Sequence, residues 1–101
     1  GDHRLVTIPT ALTEVTFTLI SELTSADDTA TSKYFDQIST GAIQFSVVAD
    51  QAIQVVGING TDFTDAIPMA ANALYEEDVA YLNSIKIKTT TDNTQISLRV
   101  R

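Results

Sequence analysis

From Leu82 to Arg101 apolar and polar residues trade places one by one. Ile85 and Ile87 are interleaved with Lys86 and Lys88, and Ile96, Leu98 and Val100 with Gln95, Ser97, Arg99 and Arg101. Successive side chains of a strand point to opposite faces, so each run has one face suited to a core and one suited to water. Between the runs lies Thr-Thr-Thr-Asp-Asn-Thr (89–94), a polar insert of residues that tolerate turns. The segment reads as a β-hairpin, with the rest of the chain expected on its apolar side.

Other segments carry the same period. Val15, Phe17 and Leu19 alternate with Thr16 and Thr18, and Ile43, Phe45 and Val47 with Gln44 and Ser46. Ala49-Asp50-Gln51 then offers a tight connection to Ala52–Val56, which predicts a second hairpin. Leu5–Ile8 is a short apolar run stopped by Pro9, which has no N–H to donate, so an edge strand or a terminal arm is expected. Lys33–Ser39, with Tyr34, Phe35 and Ile38, fits one helical turn or a short irregular strand equally well, and is read as a strand because its neighbours are strands. Glu22–Ser32 reads as an exposed loop. The glycines of Gly57-Ile58-Asn59-Gly60 predict a turn or a bulge. Thr61–Asp78 reads as a loop pinned by apolar side chains, and its Ala-rich part, Met69–Leu74, as one or two helical turns. The chain is therefore expected to be mainly β. The expected architecture is an antiparallel β-sandwich (jelly-roll or Ig-like) or small barrel of about six to eight strands, with at most one short helix near 66–82. Its 101 residues fit a single domain, 1–101, with 1–9 as a candidate N-terminal arm.

Composition narrows function by exclusion. At 44% hydrophobic and 19% charged the chain is too apolar for disorder. No apolar run is long enough to span a membrane, and no basic start followed by an apolar core opens the chain, so no signal peptide is expected. There is no Cys, which removes disulfides, thiolate metal sites and Cys nucleophiles. The net charge of −7 disfavours direct binding to nucleic acid or to an anionic membrane, and favours solubility at high copy number. Most of the positive charge falls in the last segment, at Lys86, Lys88, Arg99 and Arg101. If the alternation makes one hairpin, the four share its wet face. That face either protects an edge against stray pairing or forms a basic strip that docks on an acidic neighbour, such as another copy of the chain.

Motifs for chemistry are sparse. His3 is the only histidine, and its place beside a chain end favours a solvated residue over a base or ligand. Asp27-Asp28 lacks the spacing of a calcium loop. Asn59-Gly60-Thr61 matches the N-glycosylation triplet. Glu76-Glu77-Asp78 reads as a solvated acidic face. No phosphate loop, nucleophile elbow or Ser-His-Asp set is present. The expectation is a binding or structural module, not an enzyme, with no cofactor and no metal.

The run Tyr81-Leu82-Asn83-Ser84-Ile85-Lys86-Ile87-Lys88, a Thr/Asp/Asn turn, then Gln95-Ile96-Ser97-Leu98-Arg99-Val100 resembles the closing hairpin of small tailed-bacteriophage virion proteins. The Gly57–Met69 stretch is compatible with that likeness. The resemblance implies a non-enzymatic virion role, such as a capsid decoration (cement) protein, a head fibre base or a small tail component. Its implied partners are the major capsid protein and other copies of the chain. Candidate contacts are Arg4, Leu5, Val6 and Ile8 in the arm, and Lys86, Lys88, Arg99 and Arg101 at the C-terminus. One alternative is a carbohydrate-binding or adhesin-type module using Tyr34, Tyr75 and Tyr81 as a ring platform. The other is an Ig-like domain of a larger surface protein, although the Cys…Trp…Cys pattern is missing. Either alternative places the chain outside the cell or on its surface.

Overall fold

The structure is a computed structural model that describes residues 2–20, 28–36 and 44–101. Among the described residues there are nine strands and no helix. They are β1 (Asp2–Ile8), β2 (Glu14–Ile20), β3 (Ser32–Asp36), β4 (Gln44–Ala49), β5 (Ile53–Ile58), β6 (Thr61–Met69), β7 (Tyr75–Asp78), β8 (Ser84–Thr89) and β9 (Thr94–Val100). A four-stranded sheet has the order β1-β9-β4-β7, and a five-stranded sheet the order β3-β2-β8-β5-β6. The pairings are antiparallel except β2 with β3. The fold is thus an all-β, sandwich-like pair of sheets, as the period-two pattern requires.

Each sheet turns its apolar face to the other. Val15 and Phe17, Ile85 and Ile87, Ile53 and Val55, and Phe35 come from the five-stranded sheet. Ile96, Leu98 and Val100, Phe45 and Val47, and Val6 and Ile8 come from the four-stranded sheet. All are buried in one cluster. Burying a side chain of this size contributes about 1.5–3 kcal/mol, so the alternating segments are what holds the two sheets together.

The connections correct the sequence reading. β8 and β9 do not pair: β8 lies between β2 and β5, and β9 between β1 and β4. The same holds for β4 and β5. Both expected hairpins are arches that carry the chain from one sheet to the other. Alternation puts the apolar face inward in either case, so it does not distinguish them. The turn residues do. The one hairpin between consecutive strands among the described residues is β5–β6, and it turns on Asn59-Gly60, both left-handed with φ of 53° and 79°. Two successive positive φ values match the twist of paired strands. Neither arch has such a pair.

Threonine and aspartate hold the arches. Where a strand leaves its sheet the backbone groups lose their ladder partners, and each one buried without a substitute costs about 1–3 kcal/mol. Thr89 and Thr94, at the two ends of the β8–β9 arch, are fully buried. Thr89 Oγ1 lies 3.2 Å from Thr10 O and 3.4 Å from Thr13 O, and Thr94 Oγ1 donates to Thr91 O at 2.7 Å. The Asp92 carboxylate accepts from Ala11 N at 2.7 Å, and that of Asp50 from Gln95 N at 2.8 Å. Thr90 Oγ1 donates to Ala52 O. The β1–β2, β4–β5 and β8–β9 connections therefore interlock at one end of the sandwich.

The stretch expected to be loop and helix, 61–78, is two strands joined by a turn at 70–74. Residues 66–69 complete β6 and 75–78 form β7, with a turn between them. Alanine favours helix only weakly, and tertiary pairing overrides it. Ile67 and Met69 of β6 pair with Val55 and Ile53 and pack against the core. Pro68 sits in β6, an edge strand, where a missing N–H is tolerated. The expected bulge is real: the register shifts between Val55 and Gly57 against both neighbours. Pro9 ends β1, which is an edge strand paired with β9 along its whole length.

Candidate functional site

The eight candidate contact residues do not form one surface. Lys86 and Lys88 point outward from the five-stranded sheet, opposite Thr16 and Glu14 of β2. Arg99 and Arg101 point outward from the four-stranded sheet. The four cations are therefore on opposite sides of the sandwich, and no shared basic strip exists. Edge protection fails too, because β8 and β9 are both interior strands. Two of the four edge strands carry acid and proline: Glu76-Glu77-Asp78 on the short β7, and Asp62, Asp65 and Pro68 on β6. Both are features that discourage edge-to-edge pairing.

In β1, Val6 and Ile8 are buried in the core, at 8% and 1% exposure, while Leu5 on the other face is 58% exposed. Arg4 shares the inward parity of Val6. Its guanidinium grips both carboxylate oxygens of Asp28 and the carbonyl of Tyr34. Asp28 Oδ1 also accepts from Tyr34 N at 3.0 Å. The Arg4 hydrogen bond holds the Asp28 carboxyl below the usual range, against the opposing effect of burial. Arg4 thus fastens β1 to the segment that leads into β3, edge to edge across the two sheets. Asp28 is turned to that guanidinium instead of a calcium site; Asp27 lies outside the described residues. Lys86 is similarly occupied. Its Nζ reaches Asp62 Oδ1 at 2.9 Å, and that hydrogen bond raises its pKa.

The tyrosines do not make a platform. Tyr34 is on β3, at the edge of the five-stranded sheet. Tyr75 is on β7, at the edge of the four-stranded one, with its ring 5.7 Å from that of Phe45 and its hydroxyl donating to Glu77. Burial, and then Glu77, push the Tyr75 hydroxyl up to about 12. Tyr81 is exposed between β7 and β8. Asn59 is a structural anchor. Its Oδ1 accepts from Asn83 N at 2.7 Å and Ser84 N at 3.2 Å, and its Nδ2 donates to Tyr81 O at 3.0 Å. A glycan would attach at the nitrogen that makes the last of these bonds. His3 Nε2 lies 2.8 Å from Ser97 Oγ, on the outer face of β1 and β9. Among the described residues no three His, Asp or Glu side chains come together as a metal set.

The outer face of the four-stranded sheet is left as the candidate site. The ladder registers set its rows. His3, Arg99, Ser46 and Glu76 lie in one line across β1, β9, β4 and β7. Beside it runs Arg101, Gln44 and Asp78, linked by hydrogen bonds from Arg101 Nε to Gln44 Oε1 and from Gln44 Nε2 to Asp78 Oδ1 at 2.9 Å. On the other side Leu5, Ser97 and Val48 form a third row, with Leu74 exposed just before β7. A shallow groove of about 270 Å³ runs through the charged rows, lined by Gln44, Ser46, Glu76, Arg99 and Arg101 with Phe45 and Val100. Of the residues that make this face, the sequence reading had singled out only Leu5, Arg99 and Arg101 as contacts. Glu76 was legible as a solvated acid, but its place opposite Ser46 depends on a strand that no alternation announced.

Scans against family models, curated proteins and solved structures found no match to this chain.

Proposed function

We propose that the protein is a non-enzymatic structural protein of a tailed-phage virion, a capsid decoration or cement component or another accessory head or tail protein. It acts through symmetric contacts with the major capsid protein and with copies of itself. The observation that carries this reading is the outer face of the four-stranded sheet. It bears both signs of charge, and exposes Leu5 and Leu74 at 58% and 61%. Mixed charge around exposed apolar side chains suits a protein partner. Its groove of about 270 Å³ falls below the roughly 300–1,000 Å³ usual for small-molecule sites. The net charge of −7 and the absence of Cys suit a component held at high copy number. The phage part of the reading rests on the sequence resemblance of residues 81–100 to the closing hairpin of small tailed-phage virion proteins, a pairing that β8 and β9 do not make in this fold.

The test is co-sedimentation of the purified chain with tailed-phage shells that lack it. Saturable binding at a fixed number of copies per capsomer is the expected result. Shells that leave the chain in the supernatant at every concentration overturn the assignment.

A further inference from the structure

The charges on the four-stranded sheet are separated by strand. Arg99 and Arg101 stand on or just beyond β9, Glu76 and Asp78 on β7, and β4 lies between. Adjacent strands are about 4.8 Å apart, so the backbones that carry the cation and the carboxylate of one row are about 10 Å apart. The two ion pairs among the described residues involve none of these four groups, and Arg101 is linked to Asp78 only through Gln44.

Resting on the reading that the protein works by symmetric contacts, we propose that a second copy of this chain docks face to face on this sheet. The two copies are related by a two-fold axis parallel to the strands and lying over β4. That rotation keeps the rows in line and exchanges the columns. It lays the partner's β7 over β9 and the partner's β9 over β7. Arg99 then meets the partner's Glu76, and Arg101 meets the partner's Asp78, each twice by symmetry. Val48 falls near the axis and meets its own copy, and the exposed Leu74 is covered. A two-fold axis across the strands would instead set like charge on like, so the charge pattern selects one geometry. Three strands overlap, a patch about 14 Å wide and about 20 Å long, or about 280 Å² per copy, well below the roughly 800 Å² per partner of a stable interface. The association is therefore weak in free solution and strengthened where copies are concentrated on a surface.

The experiment is sedimentation equilibrium of the full chain, with far-ultraviolet circular dichroism to confirm folding of each variant. A monomer–dimer equilibrium is expected that weakens when salt rises from about 50 to about 500 mM. Arg99→Glu and Glu76→Arg are each expected to weaken it by at least about tenfold, and the double exchange to restore it. All four positions are outward-facing, so the fold tolerates these changes. A chain that stays monomeric up to about 0.5 mM at low salt, where even a weak pair of this kind associates, overturns the proposal. So does a double exchange no better than the single changes. Shell co-sedimentation of the same proteins separates the two readings: a monomer that binds shells leaves the virion role standing without this dimer, and a dimer that ignores shells does the reverse.

Discussion

Replacing Gly57 by alanine tests whether the β5 bulge is set by space or by backbone conformation. A Cβ at Gly57 would lie 2.3 Å from Thr61 O, 2.7 Å from Asp62 Cα and 3.0 Å from Thr61 C. All three are backbone atoms of β6, so no side chain can swing aside. The start of β6 must retreat by about 1 Å. Such overpacking costs about 1–3 kcal/mol, and loosening one ladder hydrogen bond adds about 1 kcal/mol. A total near 3 kcal/mol lowers the melting temperature of a domain this size by about 12–24 °C. Gly60→Ala is the control. No atom lies within 4 Å of its added Cβ, but its φ is +79°. The left-handed conformation alone costs about 1–2 kcal/mol. Urea unfolding followed by circular dichroism should rank Gly57→Ala as the more harmful. An argument from φ alone gives the opposite order, since Gly57 has no positive φ. A Gly57→Ala protein within about 1 kcal/mol of the parent, or more stable than Gly60→Ala, would refute the steric account.

Asn59→Ala removes the acceptor shared by Asn83 N and Ser84 N and the donor to Tyr81 O, at a residue with φ of 53°. A loss of about 2–4 kcal/mol is expected in urea unfolding, with Asn59→Asp milder because it keeps the acceptor. The Arg4 guanidinium holds the folded-state pKa of the Asp28 carboxyl below the usual carboxylate range. The stability from this pair is therefore full above about pH 4 and is lost as pH falls through the lower folded value. Asp28→Asn should flatten that acid limb and cost about 1 kcal/mol near neutrality, since the pair is partly exposed. Tyr75 behaves in the opposite sense: its neutral form is favoured by the fold, so its contribution is full below about pH 10 and is lost as pH rises towards 12. Phenolate absorbance should show one tyrosine titrating near 12, and Glu77→Gln should lower that value only part of the way, because burial is the larger cause.

Strand positions were legible because burial imposes them residue by residue. Ile53 and Val55, Ile85 and Ile87, and Ile96, Leu98 and Val100 are all at or below 2% exposure, and each was marked as inward by its polar neighbours. β7 escaped because an edge strand with Tyr75 and Glu77 on its inner side has no apolar alternation to show. Sheet assignment escaped for a different reason. An arch and a hairpin bury the same face of both strands, so only the connection can tell them apart. Asn59-Gly60 carries the signature of a true hairpin in two left-handed residues. Asp50-Gln51 and Thr90–Asn93 lack it, and offer instead side-chain oxygens that bond backbone groups of neighbouring arches.

That choice governs every surface argument made from the sequence. In a hairpin the outward residues of β8 and β9 share one face; in an arch they face opposite ways. Treating 82–101 as a hairpin therefore gathered Lys86, Lys88, Arg99 and Arg101 into a strip that the fold divides. The same step hid the row of opposite charges on the outer face. Arg99 and Glu76 are far apart in sequence, and they come into one row only because Ser46 of β4 pairs with both. That requires β9 to leave β8 and lie beside β4. The Thr and Asp residues that stabilise the arches thus also decide which charges the outer face presents. Changing Thr89 or Asp92 should disturb that face from the far side of the arch, before any residue on the face itself is altered.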